Sequence, residues 1–119
     1  MKELSSILMV GWYPELMLTR AAMLRLHGYA VIESHDAQHA LRILTTTDFA
    51  LVVVCRSIPR KVRRALIHDM KHARPLTPVL VFGHGMKEAD LSMPNLAGPE
   101  VFLRCVSTLV RGAKRRSAS

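Results

Sequence analysis

The chain has 119 residues, half of them hydrophobic, with two cysteines and a formal net charge of +8, which predicts one globular domain whose core needs no disulfides. The composition argues against disorder, and neither cysteine has the spacing of a disulfide framework or a zinc site. The longest apolar run, Phe49–Cys55, is far too short to cross a bilayer. The first residues do not fit a signal peptide either. We therefore expect a cytoplasmic protein without membrane contacts.

Apolar periodicity divides the chain into alternating strands and helices. Strands are predicted at Ser6–Val10, Tyr29–Glu33, Phe49–Val54 and Pro78–Phe82, and helices at Pro14–Leu26, Ala37–Thr46, Arg60–Ala73 and Pro99–Arg111. Pro14 suits the first turn of its helix, Asp36 can cap the second, and Gly112 is expected to end the last. This alternation predicts right-handed crossovers and an α/β fold, with a doubly wound parallel sheet of four to five strands.

The helical spacing also predicts which side chains face the sheet. In the first helix Leu16 and Met17 belong to the apolar face, and in the third the inner stripe is Val62, Ala65, Leu66 and Met70. Residues 83–98 have the weakest pattern, with room for a short helical turn near Lys87–Leu91 and a poor fifth strand. In parallel sheets of this kind, ligands bind beyond the carboxyl ends of the strands.

Four segments in this order resemble the receiver domain of bacterial response regulators: ILMVGWYP at 7–14, RLHGYAVIESHDAQHAL at 25–41, FALVVVCRSIP at 49–59 and TPVLVFGHG at 77–85. The resemblance implies a flavodoxin-like receiver fold over residues 1–112, with a shortened region for the family's fourth helix and fifth strand. Residues 113–119 would then form a basic flexible tail.

The family's functional positions carry the wrong residue types here. By resemblance, the acidic pair that holds Mg²⁺ falls on Gly11 and Trp12, the phosphoacceptor aspartate on Cys55, and the switch Ser or Thr on Gly83. Glycine and indole offer a hard cation no side-chain carboxylate, a thiol is not a carboxylate, and glycine has no hydroxyl. We therefore expect neither aspartyl phosphorylation nor Mg²⁺ binding, and no cofactor.

Two of these positions have alternative interpretations. Trp12 and Tyr13 either fill the volume that the acids and metal occupy in the family, or form an exposed aromatic anchor for a partner. Cys55 is either a small buried core residue or a reactive thiol whose pKa is lowered by Arg56 and a nearby helix N-terminus.

Two pairs of histidines have helical i, i+4 spacing, His35 with His39 and His68 with His72. Such spacing can bind a metal ion. No third ligand is evident and the neighbouring residues are basic, so we expect solvated surface histidines and no metal site. The chain also lacks a carboxylate pair, a glycine-rich phosphate loop and a nucleophile with an evident base, which argues against an enzyme.

The third helix is strongly basic, since seven of the chain's 17 basic residues and one acid lie between positions 56 and 74. A charge run is usually a solvated face. However, cations in the first turns of a helix oppose its macrodipole, and that cost is acceptable if an anion binds there. The candidate anion or partner patch consists of Arg60, Lys61, Arg63, Arg64 and Lys71.

Two classes of function follow from the sequence. The first is a degenerate receiver-like module that acts in bacterial signal transduction through protein–protein interaction, with a signalling protein or an acidic protein as its partner. It could also form a homodimer through its last helix and the edge of the fourth strand. The alternative is a small basic protein that binds nucleic acid non-specifically through its third helix.

Overall fold

The computed structural model describes residues 4–118, with side chains to residue 115, and contains five strands and four helices over that range. In chain order they are β1 (Ser6–Val10), α1 (Pro14–Leu26), β2 (Ala30–Ser34), α2 (Ala37–Thr46), β3 (Leu51–Val54), α3 (Arg60–Ala73), β4 (Val79–Phe82), β5 (Leu91–Met93) and α4 (Pro99–Ala118). None of these helices is both long and apolar enough to cross a membrane.

All five strands are parallel and follow the order β2-β1-β3-β4-β5, so the predicted doubly wound sheet is confirmed. The strands β3 and β4 are buried along their whole length because helices cover both faces of the sheet. Strand β4 pairs with β3 on one side and β5 on the other. The expected homodimer therefore cannot use an edge of β4, which is paired on both sides, and a homodimer through the last helix stays a prediction.

Alternate residues of each strand point to opposite faces and build two separate core layers. On one face Ile7 and Met9 pack with α1 and α4 through Met17 and Phe102. On the other face, the core includes side chains from α2 and α3. The Asp36 carboxylate accepts a 3.0 Å hydrogen bond from the Gln38 N–H, as expected of a cap.

Two local expectations were wrong. Leu16 is 63% exposed, although the helical spacing placed it on the buried face. Helix α4 continues past Gly112 to Ala118, because Ala113 still packs against the protein and a single glycine costs a helix only about 1 kcal/mol. Residues 113–118 of the expected tail thus belong to α4, and Ser119 lies outside the described residues.

Helix α3 is rotated relative to the prediction, with Arg63 on the buried side and Ala65 exposed. The Arg63 guanidinium donates a 2.7 Å hydrogen bond from Nη1 to the carbonyl of Phe82 at the end of β4. One turn earlier, Arg60 Nη1 donates to the carbonyl of His84 at 2.8 Å. These cations donate hydrogen bonds to carbonyl oxygens at and just beyond the strand end, which explains why the first turn of α3 accepts them.

The second half of α3 holds the β4–β5 loop, residues 83–90, in the same way. Lys71 Nζ lies 2.8 Å from Asp90 Oδ2, and this carboxylate also accepts the N–H of Val79 at 2.7 Å. His68 Nδ1 lies 2.9 Å from Glu88 Oε1. No helix forms in residues 83–98, which confirms the shortened region, and the side chains of α3 position the loop that stands in its place.

We predict that Arg63→Ala lowers the free energy of unfolding by about 2 kcal/mol, because it removes a hydrogen bond from a charged donor and leaves the buried Phe82 carbonyl without its partner. Arg64→Ala, at the exposed neighbouring position, serves as the control and should change it by less than about 0.5 kcal/mol. Urea unfolding followed by circular dichroism measures both. Equal effects of the two substitutions would contradict the assigned role of Arg63.

Candidate site at the carboxyl ends of the strands

The family-equivalent positions meet at the carboxyl ends of β1, β3 and β4, as the topology requires. The N–H of Gly11 donates to the Ser34 carbonyl at 3.0 Å, and the N–H of Cys55 donates to the Val10 carbonyl at 2.8 Å. Gly11 and Cys55 therefore lie side by side on neighbouring strands. The fold gathers the predicted positions at one edge, so their residue types decide what this edge can do.

Gly11 lies where no side chain fits without a shift. A Cβ atom at this position would lie 2.9 Å from Met17 Sδ, 3.1 Å from Cys55 Cβ and 3.2 Å from Ser57 Oγ. Met17 projects from α1 and is almost completely buried. The volume that an acidic side chain would need is therefore filled by the thioether of Met17.

Cys55 is a core residue, with 5% of its surface exposed. Burial raises the pKa of its thiol to about 11, and the opposing effect of the Arg20 guanidinium on this pKa is smaller. The interpretation as a buried core cysteine is confirmed. The alternative of a thiol with a lowered pKa was wrong, because the loss of hydration outweighs the positive charge nearby.

Gly83 adjoins the guanidinium of Arg63. Its φ of +125° is one that side chains rarely adopt, and a Cβ would lie 2.7 Å from Arg63 Nη1. Burial is the main cause that lowers the pKa of Arg63, followed by the charges of Arg60 and Arg56. A guanidinium therefore takes the place beside position 83 where the family has a hydroxyl.

Trp12 and Tyr13 are exposed by 39% and 51%, which favours the interpretation as an exposed aromatic anchor over the interpretation that they fill the former pocket. Met17 occupies that volume instead. The backbone N–H of Trp12 donates to Ser57 Oγ at 3.0 Å, which ties this loop to the end of β3. The two aromatic side chains thus project from a fixed turn toward solvent.

The structure divides the predicted basic patch into two groups. Arg60, Arg63 and Lys71 all hydrogen bond within the protein, as described above. Lys61 and Arg64 are exposed, and among the side chains that the structure describes neither forms an ion pair or a hydrogen bond. Of the predicted patch, Arg63 is buried, whereas Arg60, Lys61 and Arg64 are exposed.

A cleft of about 610 Å³ opens between α1 and the start of α4, beside Cys55. Arg20 crosses its floor, with its guanidinium 3.8 Å above the centre of the Phe82 ring and Nη2 donating to the Asn95 carbonyl at 2.9 Å. Leu16 and Arg56 also line the cleft and are exposed. Sequence reasoning missed Arg20, because nothing in its local pattern distinguishes it from a surface arginine.

These residues do not fit the Mg²⁺ ion that receiver domains bind. Gly11, Trp12, Cys55 and Gly83 contribute no carboxylate or hydroxyl oxygen from their side chains, whereas Mg²⁺ requires oxygen ligands. Arg20 and Arg63 add positive charge close to the same edge. No phosphoryl-transfer step can be derived through a metal at this site.

No protein-family model matches the sequence, and no curated protein matches it. Among solved structures, a CheY-like receiver domain protein from Methanospirillum hungatei is 16% identical, with a TM-score of 0.85 and coverage of 96% of this chain and 99% of that one. A response regulator receiver domain protein from Clostridium thermocellum is 19% identical, with a TM-score of 0.83 and coverage of 93% and 98%. The response regulator TrrA from Thermotoga maritima, in complex with Mg²⁺–BeF, is 14% identical, with a TM-score of 0.79 and coverage of 89% and 99%.

The chain therefore has the fold of a response-regulator receiver domain, and the resemblance found in the sequence is confirmed at the level of fold. The likeness extends over nearly the whole length of each of these receiver structures. At the three positions aligned by resemblance with the family's functional residues, this chain carries Gly11, Cys55 and Gly83.

We predict that Cys55 resists alkylation by iodoacetamide in the folded protein at pH 8. With a pKa of about 11, only about one Cys55 side chain in 1,000 is ionised at that pH, and burial blocks access as well. In the Cys105→Ser variant Cys55 is the one remaining cysteine, so intact mass spectrometry counts adducts at Cys55 alone. Complete labelling in guanidinium chloride is the control, and rapid labelling without denaturant would contradict the buried assignment.

Proposed function

We propose that this chain is a degenerate receiver module that acts in bacterial signal transduction by binding a partner protein. It does so without aspartyl phosphorylation, without Mg²⁺ binding and without enzymatic activity. The observation that carries the proposal is the environment of Gly11, where a Cβ would lie 2.9 Å from Met17 Sδ, so that an acidic side chain at this position would require Met17 to move. The replacements at Cys55 and Gly83 remove the phosphoacceptor and the switch hydroxyl as well.

A receiver scaffold without this chemistry can still present a surface. The exposed apolar side chains at the carboxyl edge of the sheet include Trp12, Tyr13 and Leu16. Leu16 lines the cleft between α1 and α4, together with the exposed cation Arg56. Apolar anchors beside a positive charge favour an acidic protein with one or two apolar side chains that enter the cleft.

The exposed positive charges of α3 support nucleic-acid binding less strongly than the sequence alone did. Non-specific binding grows with the number of phosphates that cations can reach, and Arg60, Arg63 and Lys71 are engaged in internal hydrogen bonds. Lys61 and Arg64 are too few to track a phosphate backbone along α3. A protein partner is therefore the stronger proposal, and nucleic acid becomes an outcome of the test below.

We predict that acetyl phosphate with Mg²⁺ leaves the protein unmodified. Positions 11, 12 and 55 carry no carboxylate, so phosphoryl transfer lacks its acceptor and the acidic ligands of the metal that would neutralise its charge. Intact mass spectrometry detects a single phosphoryl adduct, and an authentic receiver domain treated in parallel verifies the donor. A stoichiometric adduct on this chain would overturn the proposal.

We predict that Leu16→Glu weakens capture of the partner by about 2 kcal/mol, or roughly 30-fold, because it places a carboxylate where an apolar anchor inserts. The protein is immobilised and incubated with a lysate of the organism that carries its gene, with and without nuclease treatment of the lysate. Leu18→Glu is the matched control, since Leu18 is equally exposed on α1 but does not line the cleft.

Three results separate the alternatives. Loss of a captured protein with Leu16→Glu and its retention with Leu18→Glu would support the cleft. Equal retention by both variants would exclude it as the docking surface. Capture that nuclease abolishes, and that a Lys61→Glu/Arg64→Glu variant also loses, would support nucleic acid in place of a protein partner.

A further inference from the structure

A cluster of two histidines and one glutamate forms where α3 faces the β4–β5 loop, outside the site described above. His68 and His72 lie one turn apart on the helix, and Glu88 lies on the loop. One ligand atom from each of the three side chains lies within 4.8 Å of the other two. His68 Nδ1 is 2.9 Å from Glu88 Oε1, and the two imidazole ring centres are 4.3 Å apart.

We propose that His68, His72 and Glu88 bind a divalent transition-metal ion of the Zn²⁺ type. Two imidazole nitrogens and one carboxylate oxygen form a donor set that suits Zn²⁺, Ni²⁺ and Cu²⁺, whereas Mg²⁺ and Ca²⁺ prefer oxygen ligands alone. Three protein ligands leave a fourth position for water in a tetrahedral site. The site does not depend on the function proposed above, because it uses none of the same residues.

Hydrogen bonds already orient the histidines for this role. His72 Nδ1 lies 3.1 Å from the carbonyl oxygen of His68, which can only accept, so Nδ1 carries the proton and the lone pair of Nε2 is free for a metal. Both oxygens of Glu88, at 2.9 and 3.1 Å, approach His68 Nδ1. The carboxylate thus holds the His68 ring toward the loop.

The spacing of the ligand atoms is close to what a metal requires. Ligand bonds of about 2.0–2.1 Å in a tetrahedron place neighbouring ligand atoms about 3.3 Å apart. The three ligand atoms lie within 4.8 Å of one another, so metal binding requires them to approach by up to about 1.5 Å, and all three side chains are exposed and can rotate to do so. Sequence analysis predicted no metal site because the third ligand is distant in the sequence from the histidine pair.

The basic neighbours do not prevent cation binding. Lys71 is paired with Asp90, and Asp69 adds a negative charge whose influence reaches His68. Arg64 and Lys87 are exposed, so water and salt screen their charges. The bound ion would join α3 to the loop that replaces a helix, and binding to the folded state alone would raise the melting temperature.

The test is a calorimetric titration of Zn²⁺ into the full chain, free of any histidine tag, in a buffer that does not bind metals. We expect one Zn²⁺ per chain. His68→Ala and Glu88→Gln should each weaken binding by at least about 10-fold, since even groups that only support metal ligands have effects of that size. Circular dichroism checks that these exposed substitutions leave the fold intact.

The double variant His35→Ala/His39→Ala is the matched control. This pair has the same spacing in the sequence, but His35 precedes α2, and among the residues that the structure describes no third ligand lies near the pair. The control should retain Zn²⁺ affinity. As a second readout, Co²⁺ should produce visible absorption bands typical of a tetrahedral site, which Glu88→Gln should lose.

Three results would overturn the proposal. Absence of Zn²⁺ binding by the unmodified chain at micromolar concentrations is the first. Equal loss of affinity in the control and in His68→Ala would assign the binding to histidines in general. Unchanged affinity in Glu88→Gln would reduce the site to a histidine pair without its third ligand.

Discussion

The edge at the carboxyl end of β4 depends on one hydrogen bond. The buried guanidinium of Arg63 donates it from Nη1 to the Phe82 carbonyl at 2.7 Å. It directs the first turn of α3 against the carboxyl end of β4 and requires glycine at position 83, where a Cβ would meet the same nitrogen. The cations that oppose the helix macrodipole are stabilised by strand and loop carbonyls instead. An arginine thus organises the edge where receivers carry a hydroxyl.

Sulfur-containing side chains occupy the other half of the same edge. Met17 packs against Gly11, and the buried Cys55 thiol adjoins the same position, so apolar contacts replace the polar cavity of an acidic pocket. Burial holds the pKa of Cys55 at about 11, which keeps the thiol neutral and compatible with its core neighbours. The two replacements are compatible with each other, because a site without carboxylates carries no negative charge that a metal ion would have to neutralise.

The two surfaces proposed here lie on opposite faces of the sheet. The cleft that contains Leu16 and Arg20 belongs to the layer of α1 and α4, whereas the cluster of His68, His72 and Glu88 belongs to α3 and its loop. The sheet between them is buried on both sides. A partner and a metal ion would therefore not compete for the same residues, and either proposal can fail without the other.

The sequence by itself determined the order of strands and helices, the parallel sheet and the residue types at the receiver-equivalent positions, because periodicity and residue type are local properties. It even placed the bounds of α1, α2 and α3 correctly. The rotation of α3, the exposure of Leu16 and the partners of Arg63 and Lys71 depended on which loop lies against which helix. The same holds for Glu88, which reaches the histidine pair only after the chain crosses through β4. Contacts between residues distant in sequence leave no local pattern, so only the tertiary structure decided them.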